Sequence, residues 1–226
     1  MSNSHSLLAF DTATTVCSVA LAAGGKIYTR RTNVARQHAQ QLLPMIEAVI
    51  KDAELSLSAL GALAVSIGPG SFVGLRIGVS VAQALSFAND LPIIPVSSLQ
   101  LSAQTLCQAQ DIDKALICVD AHAGQVYWGA YQKDDAGIMQ PVCDDRASLP
   151  HEMNLDKYRD FTFAGDAWST YSALPNPFEN SILSLSPDAR DLLIIAKKQW
   201  QLGQTIQADA LQPCYLNQPV LNGVKK

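Results

Sequence analysis

Two stretches of this sequence can be laid over each other at an offset of about 109 residues: LLAFDTATTVCSVAL, starting at Leu7, and ALICVDAHAGQVYWGAY, starting at Ala115. Each is an apolar run ending in an aspartate (Asp11, then Asp120), a short turn, and a second apolar run. An internal repeat of this length limits the fold more than any single segment does. It implies two related lobes, each with a mixed sheet that opens with antiparallel strands. The pair Gly24-Gly25 marks a hairpin turn, and KIYTRRT after it reads as a third strand. Residues 35–53, ARQHAQQLLPMIEAVIKDA, place Leu42, Ile46, Val49 and Ala53 at helical spacing. Pro44 must kink that helix or sit in its first turn. A strand at 62–67, a second helix at about 71–88 and a strand at 91–96 complete a β-β-β-α-β-α-β order.

The second half repeats the opening hairpin, and GIMQPVCD follows the turn Asp134–Gly137 as its third strand. Residues 144–190 are rich in Pro, Asn, Ser and Asp and read as loops with short elements. A last helix is expected at about 188–203, between Asp188 and the C-capping Gly203, and the tail QPCYLNQPVLNGVKK reads as extended. The division expected is residues 1–100 for one RNase H-like lobe and 101–226 for the other. The fold class is α/β, the two-lobed duplicated architecture of actin-like ATPases and sugar kinases, where the hairpin turns hold phosphates between the lobes.

Charged residues make up 16% of the 226, against about 25% in ordinary soluble domains. Either the core is large or another protein covers part of the surface. The net charge of −4 excludes an electrostatic footprint for nucleic acid on the chain alone. The N-terminus lacks a basic segment before its short apolar run, so no signal peptide is expected, and no stretch reads as a membrane span. Five scattered cysteines without a C-x-x-C read as reduced thiols of a cytosolic protein.

The catalytic inventory is thin. A phosphate turn offers backbone N–H groups, with glycine for close approach. The first turn, Asp11 to Thr15, has hydroxyls but no glycine, and the second has only Gly124. Asp11 and Asp120, with Thr12 and Gly124 beside them, could hold a hydrated magnesium ion and a nucleotide, which would make the chain an ATPase or small-molecule kinase. Alternatively each aspartate caps its own turn. The four histidines are isolated, with no H-x-x-x-H or H-E-x-x-H, and His38 reads as an exposed or interface residue. No G-x-S-x-G is present, and Ser71 reads as a helix N-cap. No catalytic residue, metal ligand or cofactor is assigned.

The stretch SIGPGSFVGLRIG has four glycines in eleven residues, yet neither G-x-G-x-x-G nor a P-loop lysine. It has a period of four instead: Gly70, Gly74, Gly78, Ala82, Ser86. Each glycine inside a helix costs about 0.8–1 kcal/mol relative to alanine, so close packing must compensate. The stripe could pack on the chain's own sheet; we read it as facing outward to meet a partner helix.

The segments FDTAT, ARQHAQQLLPMI, SIGPGSFVGLRIGVSVAQALS, PVSSL, VDAHAGQVYWGAY and QPCYL follow one another as in the TsaB (YeaZ) family, which the chain resembles over nearly its whole length. The resemblance implies the actin-like fold and a non-catalytic dimerisation subunit for making threonylcarbamoyladenosine at position 37 of tRNA. It implies as partners the catalytic subunit TsaD, in a heterodimer, and the ATPase TsaE, with a homodimer in isolation and tRNA contacted only through the complex. TsaD carries a histidine pair where this chain has SSLQLSAQ. The chain departs from the family at Val73, His122, Gln125 and Asn217, commonly Thr, Arg, Glu and Arg. The implied interface is a four-helix bundle built from 37–49 and 74–86 of each subunit. It would use His38, Gln41, Leu42, Met45, Ile46, Gly74, Arg76, Gly78, Val79, Ala82 and Ser86, and Gly78→Leu should leave the monomer folded.

Overall fold

The computed structural model of the chain describes residues 6–33, 37–172, 174 and 185–216. The first repeat forms β1 (Ser6–Asp11), β2 (Cys17–Ala23) and β3 (Lys26–Thr32), with β4 (Leu60–Gly68) and β5 (Ile93–Ser97) completing a sheet of order β3-β2-β1-β4-β5. The β1-β2-β3 meander is antiparallel, while β4 runs parallel to β1 and β5 to β4. Gly24 and Gly25 both take positive φ (+55° and +77°), the left-handed pair that a two-residue hairpin requires.

The second repeat forms β6 (Lys114–Asp120), β7 (Val126–Lys133) and β8 (Met139–Pro141), with β9 (Arg146–Ser148) and β10 (Thr162–Ala164) from the loop-rich region. Its order is β10-β6-β7-β8, with β9 also on β7, and β10 runs parallel to β6. Both sheets therefore share one wiring, an antiparallel hairpin whose first strand gains a parallel neighbour.

The helices are α1 (His38–Asp52), α2 (Phe72–Asn89), α3 (Ser98–Gln110), the short α4 (Ala167–Thr170) and α5 (Ala189–Gln201). Because side chains alternate along a strand, Leu8 and Phe10 of β1 meet Leu42, Ile46, Val79 and Ala82 of α1 and α2 on one face. Leu7 and Ala9 meet Leu101 of α3 and Leu192, Leu193 and Ala196 of α5 on the other. Leu42 and Val49 are fully buried, which stabilises by about 1.5–3 kcal/mol for each such side chain. Pro44 lies inside α1 with its ring exposed, so the helix accommodates it beyond the first turn.

Three expectations need correction. The division after residue 100 falls inside α3, and α5 returns from the second half of the chain to cover the first sheet. The packed layers are therefore not two consecutive stretches of sequence. Second, α2 is 18 residues long with a mean hydropathy of 1.2, enough by length and composition to cross a membrane, although one side of it packs on the first sheet.

The third concerns the small-residue stripe, which faces inward. A Cβ at Gly74 would sit on the carbonyl oxygen of Thr12, and one at Gly78 would lie 2.5 Å from Thr12 Oγ1 and 3.6 Å from Val65 Cγ2. A Cβ at Gly70 would lie 2.5 Å from the carbonyl oxygen of Ala13. Ala82 is fully buried, and Ser86 Oγ donates to the Leu91 carbonyl oxygen at 2.5 Å. The glycines let α2 approach the backbone of the β1-β2 turn. Gly78→Leu is accordingly expected to destabilise the monomer by at least the 1–3 kcal/mol or so of core overpacking. Ala84→Leu, on the exposed side of the same helix, should change stability by less than about 0.5 kcal/mol. Urea midpoints of the two variants check this, and a fully stable Gly78→Leu monomer would contradict the packing.

Candidate functional site: two aspartate turns and an exposed helical face

The first aspartate turn is closed. Asp11, at the end of β1, is fully buried; its Oδ1 accepts from the Ala13 amide at 3.0 Å and from the Ser66 hydroxyl, while Oδ2 is buried without a hydrogen-bond partner. Burial pushes its carboxyl above the usual range, against the lowering effect of those two donors. Thr12 Oγ1 donates to the Gly74 carbonyl oxygen at 2.8 Å, and the Ser71 amide donates to that of Ala13 at 2.8 Å. Ser71 Oγ also accepts from the Gly74 amide at 3.2 Å, the N-cap anticipated for α2. The space in which a phosphate would meet this turn is taken by the start of α2.

The second turn is exposed, and several of its amides are met from within the chain. His122, Ala123 and Gly124 all take left-handed φ (+60°, +50°, +80°), a conformation uncommon for the first two residue types. The His122 amide donates to Asp120 Oδ1 at 2.8 Å, the Asp120 amide to Asp166 Oδ1 at 2.8 Å, and the Gln125 amide to the His122 carbonyl oxygen at 3.0 Å. The Tyr171 hydroxyl donates to Asp120 Oδ1 at 2.6 Å. Burial alone would raise the Asp120 carboxyl, but the bonds from Tyr171 and His122 hold it below the usual range. Carboxylates of the chain itself thus occupy amides that would otherwise be open to an anion. Both aspartates cap turns, and Asp11 is out of reach of a hydrated ion.

Among the described residues no group of three or more His, Cys, Asp or Glu is placed to hold a metal ion. Burial disfavours the thiolate, the form that does nucleophilic work, at Cys17, Cys107, Cys118 and Cys214. Burial and then Asp11 push Cys17 up to about 11, and Cys118 is higher still. A cavity of about 390 Å³ between Lys26, Tyr28, Ala53 and Leu55 holds no acid, imidazole or thiol among the described residues that line it.

One half-buried cluster escaped the sequence reading. Asp145, in the loop before β9, accepts from Ser97 at the end of β5 and from Tyr131 of β7, so it ties the two sheets together. Burial raises its carboxyl, and Gly129 leaves room for it, since a Cβ there would lie 2.8 Å from Tyr131 Oη. Only the acid two residues after a cysteine marked this in the sequence, which is no signal.

Of the implied interface residues, Leu42, Met45, Ile46, Gly74, Gly78, Val79, Ala82 and Ser86 are buried within the monomer. His38 is buried too, contrary to expectation, and its Nε2–H donates to the Thr14 carbonyl oxygen at 2.8 Å. Gln41 is half-buried and Arg76 exposed. Outward on α2 are Val73 (65% exposed), Ser80, Ala84 and Phe87 (89% exposed), together with Phe72, Arg76 and Ala88, and on α1 Leu43, Pro44 and Glu47 among others. On α2 the first four of these residues lie on the side of the helix opposite the glycine stripe. That second stripe was visible in the sequence as Val73, Ser80, Ala84, Phe87.

A family model described as TsaD, tRNA N6-adenosine threonylcarbamoyltransferase, matches residues 30–213. The Escherichia coli (strain K12) protein named tRNA threonylcarbamoyladenosine biosynthesis protein TsaB is 34% identical over 222 residues, covering 95% of each chain. The chain belongs to the TsaB family. It belongs also to the wider family that the TsaD model describes. A Haemophilus influenzae TsaB is 32% identical over 95% of this chain and 94% of its own. A solved structure of YeaZ from Pseudomonas aeruginosa superposes with a TM-score of 0.88 at 34% identity, over 94% of this chain and 100% of that one. Another, described as an uncharacterized protein with similarity to peptidase YEAZ from Pseudomonas aeruginosa, reaches 0.89 at 35% identity, with the same coverage. The α/β fold with mixed sheets is thus that of the TsaD and actin-like ATPase type, as the repeat implied.

The buried Asp11 of this TsaB-family chain has a measurable signature. Its folded carboxyl holds its proton more tightly than an unfolded one of pKa 3.8, so its contribution to stability is full below about that pH. The contribution is lost as pH rises through the folded value. Asp11→Asn removes this loss, so wild-type stability minus variant stability should decrease as pH rises above about 4. Urea unfolding of both proteins across that range checks the sign, and a difference that rises with pH would contradict it.

Proposed function

We propose that this TsaB-family chain is a non-catalytic scaffold in tRNA threonylcarbamoyladenosine synthesis, docking onto a TsaD-type catalytic subunit through the outer face of α1 and α2. The observation that carries the reading is that face. Val73, Ala84 and Phe87 of α2 are exposed, as are Leu43 and Pro44 of α1, and the two helices are in contact; exposed apolar surface of this kind favours a protein partner. The names of the relatives supply the pathway, and the closed aspartate turns support a scaffold over an ATPase or kinase. Without its partner the chain would pair with a second copy through the same helices. A TsaE-type ATPase would join the complex, tRNA would reach the chain only within it, and the setting would be the cytoplasm.

The partner bundle is therefore built on different residues from those first expected. The buried side chains of α1 and α2 hold the helices on the sheet, and the outward stripe makes the contact. Phe87→Glu should leave circular dichroism unchanged and weaken association with the TsaD homologue of the same genome by about 30-fold or more. That follows from losing roughly 2 kcal/mol of apolar burial and adding a charge to desolvate. Size-exclusion co-elution and calorimetry check it; unchanged affinity would remove the face from the interface. In the same reading the isolated chain should give no binding heat with magnesium ATP and no threonylcarbamoyl transfer. Saturable binding with turnover would replace the scaffold by an ATPase.

A further inference from the structure

Arg76 is the one charged residue among the 18 of α2, FVGLRIGVSVAQALSFAN. It is exposed, yet ordered on two sides. Its guanidinium carbon lies 3.7 Å from the centroid of the Phe72 ring, and its Nε donates to the Tyr215 hydroxyl at 3.0 Å. The Phe72 and Tyr215 rings are 5.5 Å apart. Tyr215 is itself held by the returning tail, where the Cys214 amide donates to the Ile67 carbonyl oxygen at 2.7 Å. Stacking and the Nε bond fix the plane of the fork, while Nη1 and Nη2 make no hydrogen bond or ion pair with any described residue.

A fork with its plane set and both terminal nitrogens free is suited to a carboxylate, which takes two parallel N–H bonds. Its neighbours set the context. Val73, one turn away on α2, is 65% exposed, and Phe72 is 53% exposed. If a protein covers this apolar surface, the guanidinium loses water beside it, and a desolvated charge without a counter-ion is costly. The counter-ion does not come from the described part of this chain.

We propose that Arg76 is the polar anchor of the docking face, receiving an Asp or Glu carboxylate of the TsaD-type subunit in a pre-ordered Phe72–Arg76–Tyr215 clamp. This rests on the docking reading above and adds to it the chemistry that the partner must present. A lone cation among apolar side chains, on a chain of net charge −4, favours a protein acid over nucleic-acid phosphates, which are met by several cations together.

The test is calorimetry and dissociation kinetics of the wild-type chain, Arg76→Gln, Arg76→Lys and Tyr215→Phe against the TsaD homologue of the same genome. Melting curves serve as the folding control. Arg76→Gln is expected to weaken binding by about 30-fold or more, chiefly through faster dissociation, and to flatten the salt dependence of the affinity. Arg76→Lys, which keeps the charge and loses the fork, should fall between. Tyr215→Phe, which loses only the Nε bond, should stay within about fivefold of wild type. If the wild type binds and Arg76→Gln binds within about threefold of it, the anchor is wrong and the docking face stands. No binding by the wild type removes both. Equal losses in Arg76→Gln and Tyr215→Phe would make Arg76 a strap for the tail, and so would overturn the anchor. Retention of tRNA by the isolated wild type but not by Arg76→Gln would assign the guanidinium to phosphate and overturn it too.

Discussion

The approach of α2 to the turn between β1 and β2 governs most of what this chain can do. Thr12 offers its hydroxyl to the Gly74 carbonyl oxygen, and its own carbonyl occupies the place of a Gly74 side chain. A helix this close to a turn needs residues without Cβ atoms, and the helix accepts the propensity cost of about 0.8–1 kcal/mol for each glycine. The arrangement seals Asp11, removes the first turn from contact with any anion, and fixes which side of α2 is left outward.

The second aspartate turn reaches a similar end by different means. Its backbone is curled left-handed through three residues, the sort of strain that often accompanies ligand binding. Here the His122, Asp120 and Gln125 amides are met by Asp120, Asp166 and a carbonyl of the turn itself. An anion reaching for the Asp120 or His122 amide would have to displace a like-charged carboxylate. One fold thus carries two hairpin turns, one closed by packing and the other by its own acids.

What could be read from the sequence was whatever depends on local order. The repeat, the Gly24-Gly25 turn, and the caps by Ser71 and Asp188 all follow from short-range rules and are present. The strand β10, only three residues long, is defined by its parallel pairing to β6 and has no local pattern to find. The glycine stripe was visible, but its direction was not, because a sheet backbone and a partner helix both favour small residues. Phe87 could have decided it, since a large apolar residue opposite the stripe needs cover more than glycine does. The Asp145 cluster depends on three segments far apart in sequence, and no single-chain pattern encodes such a meeting.

The last described elements return to the first. Helix α5 covers β1 and β2, the Ala189 amide donates to Ser18 Oγ at 2.9 Å, and Ile206 exchanges two backbone bonds of 2.8 Å with Ile93. During synthesis, then, the first sheet leaves the ribosome with part of one apolar face uncovered until residues 189–201 have followed it. Contacts so distant in sequence form late and slow the folding of the whole. Until then the alanine-rich face of β1, β2 and β4 is open to chaperones or to other nascent chains.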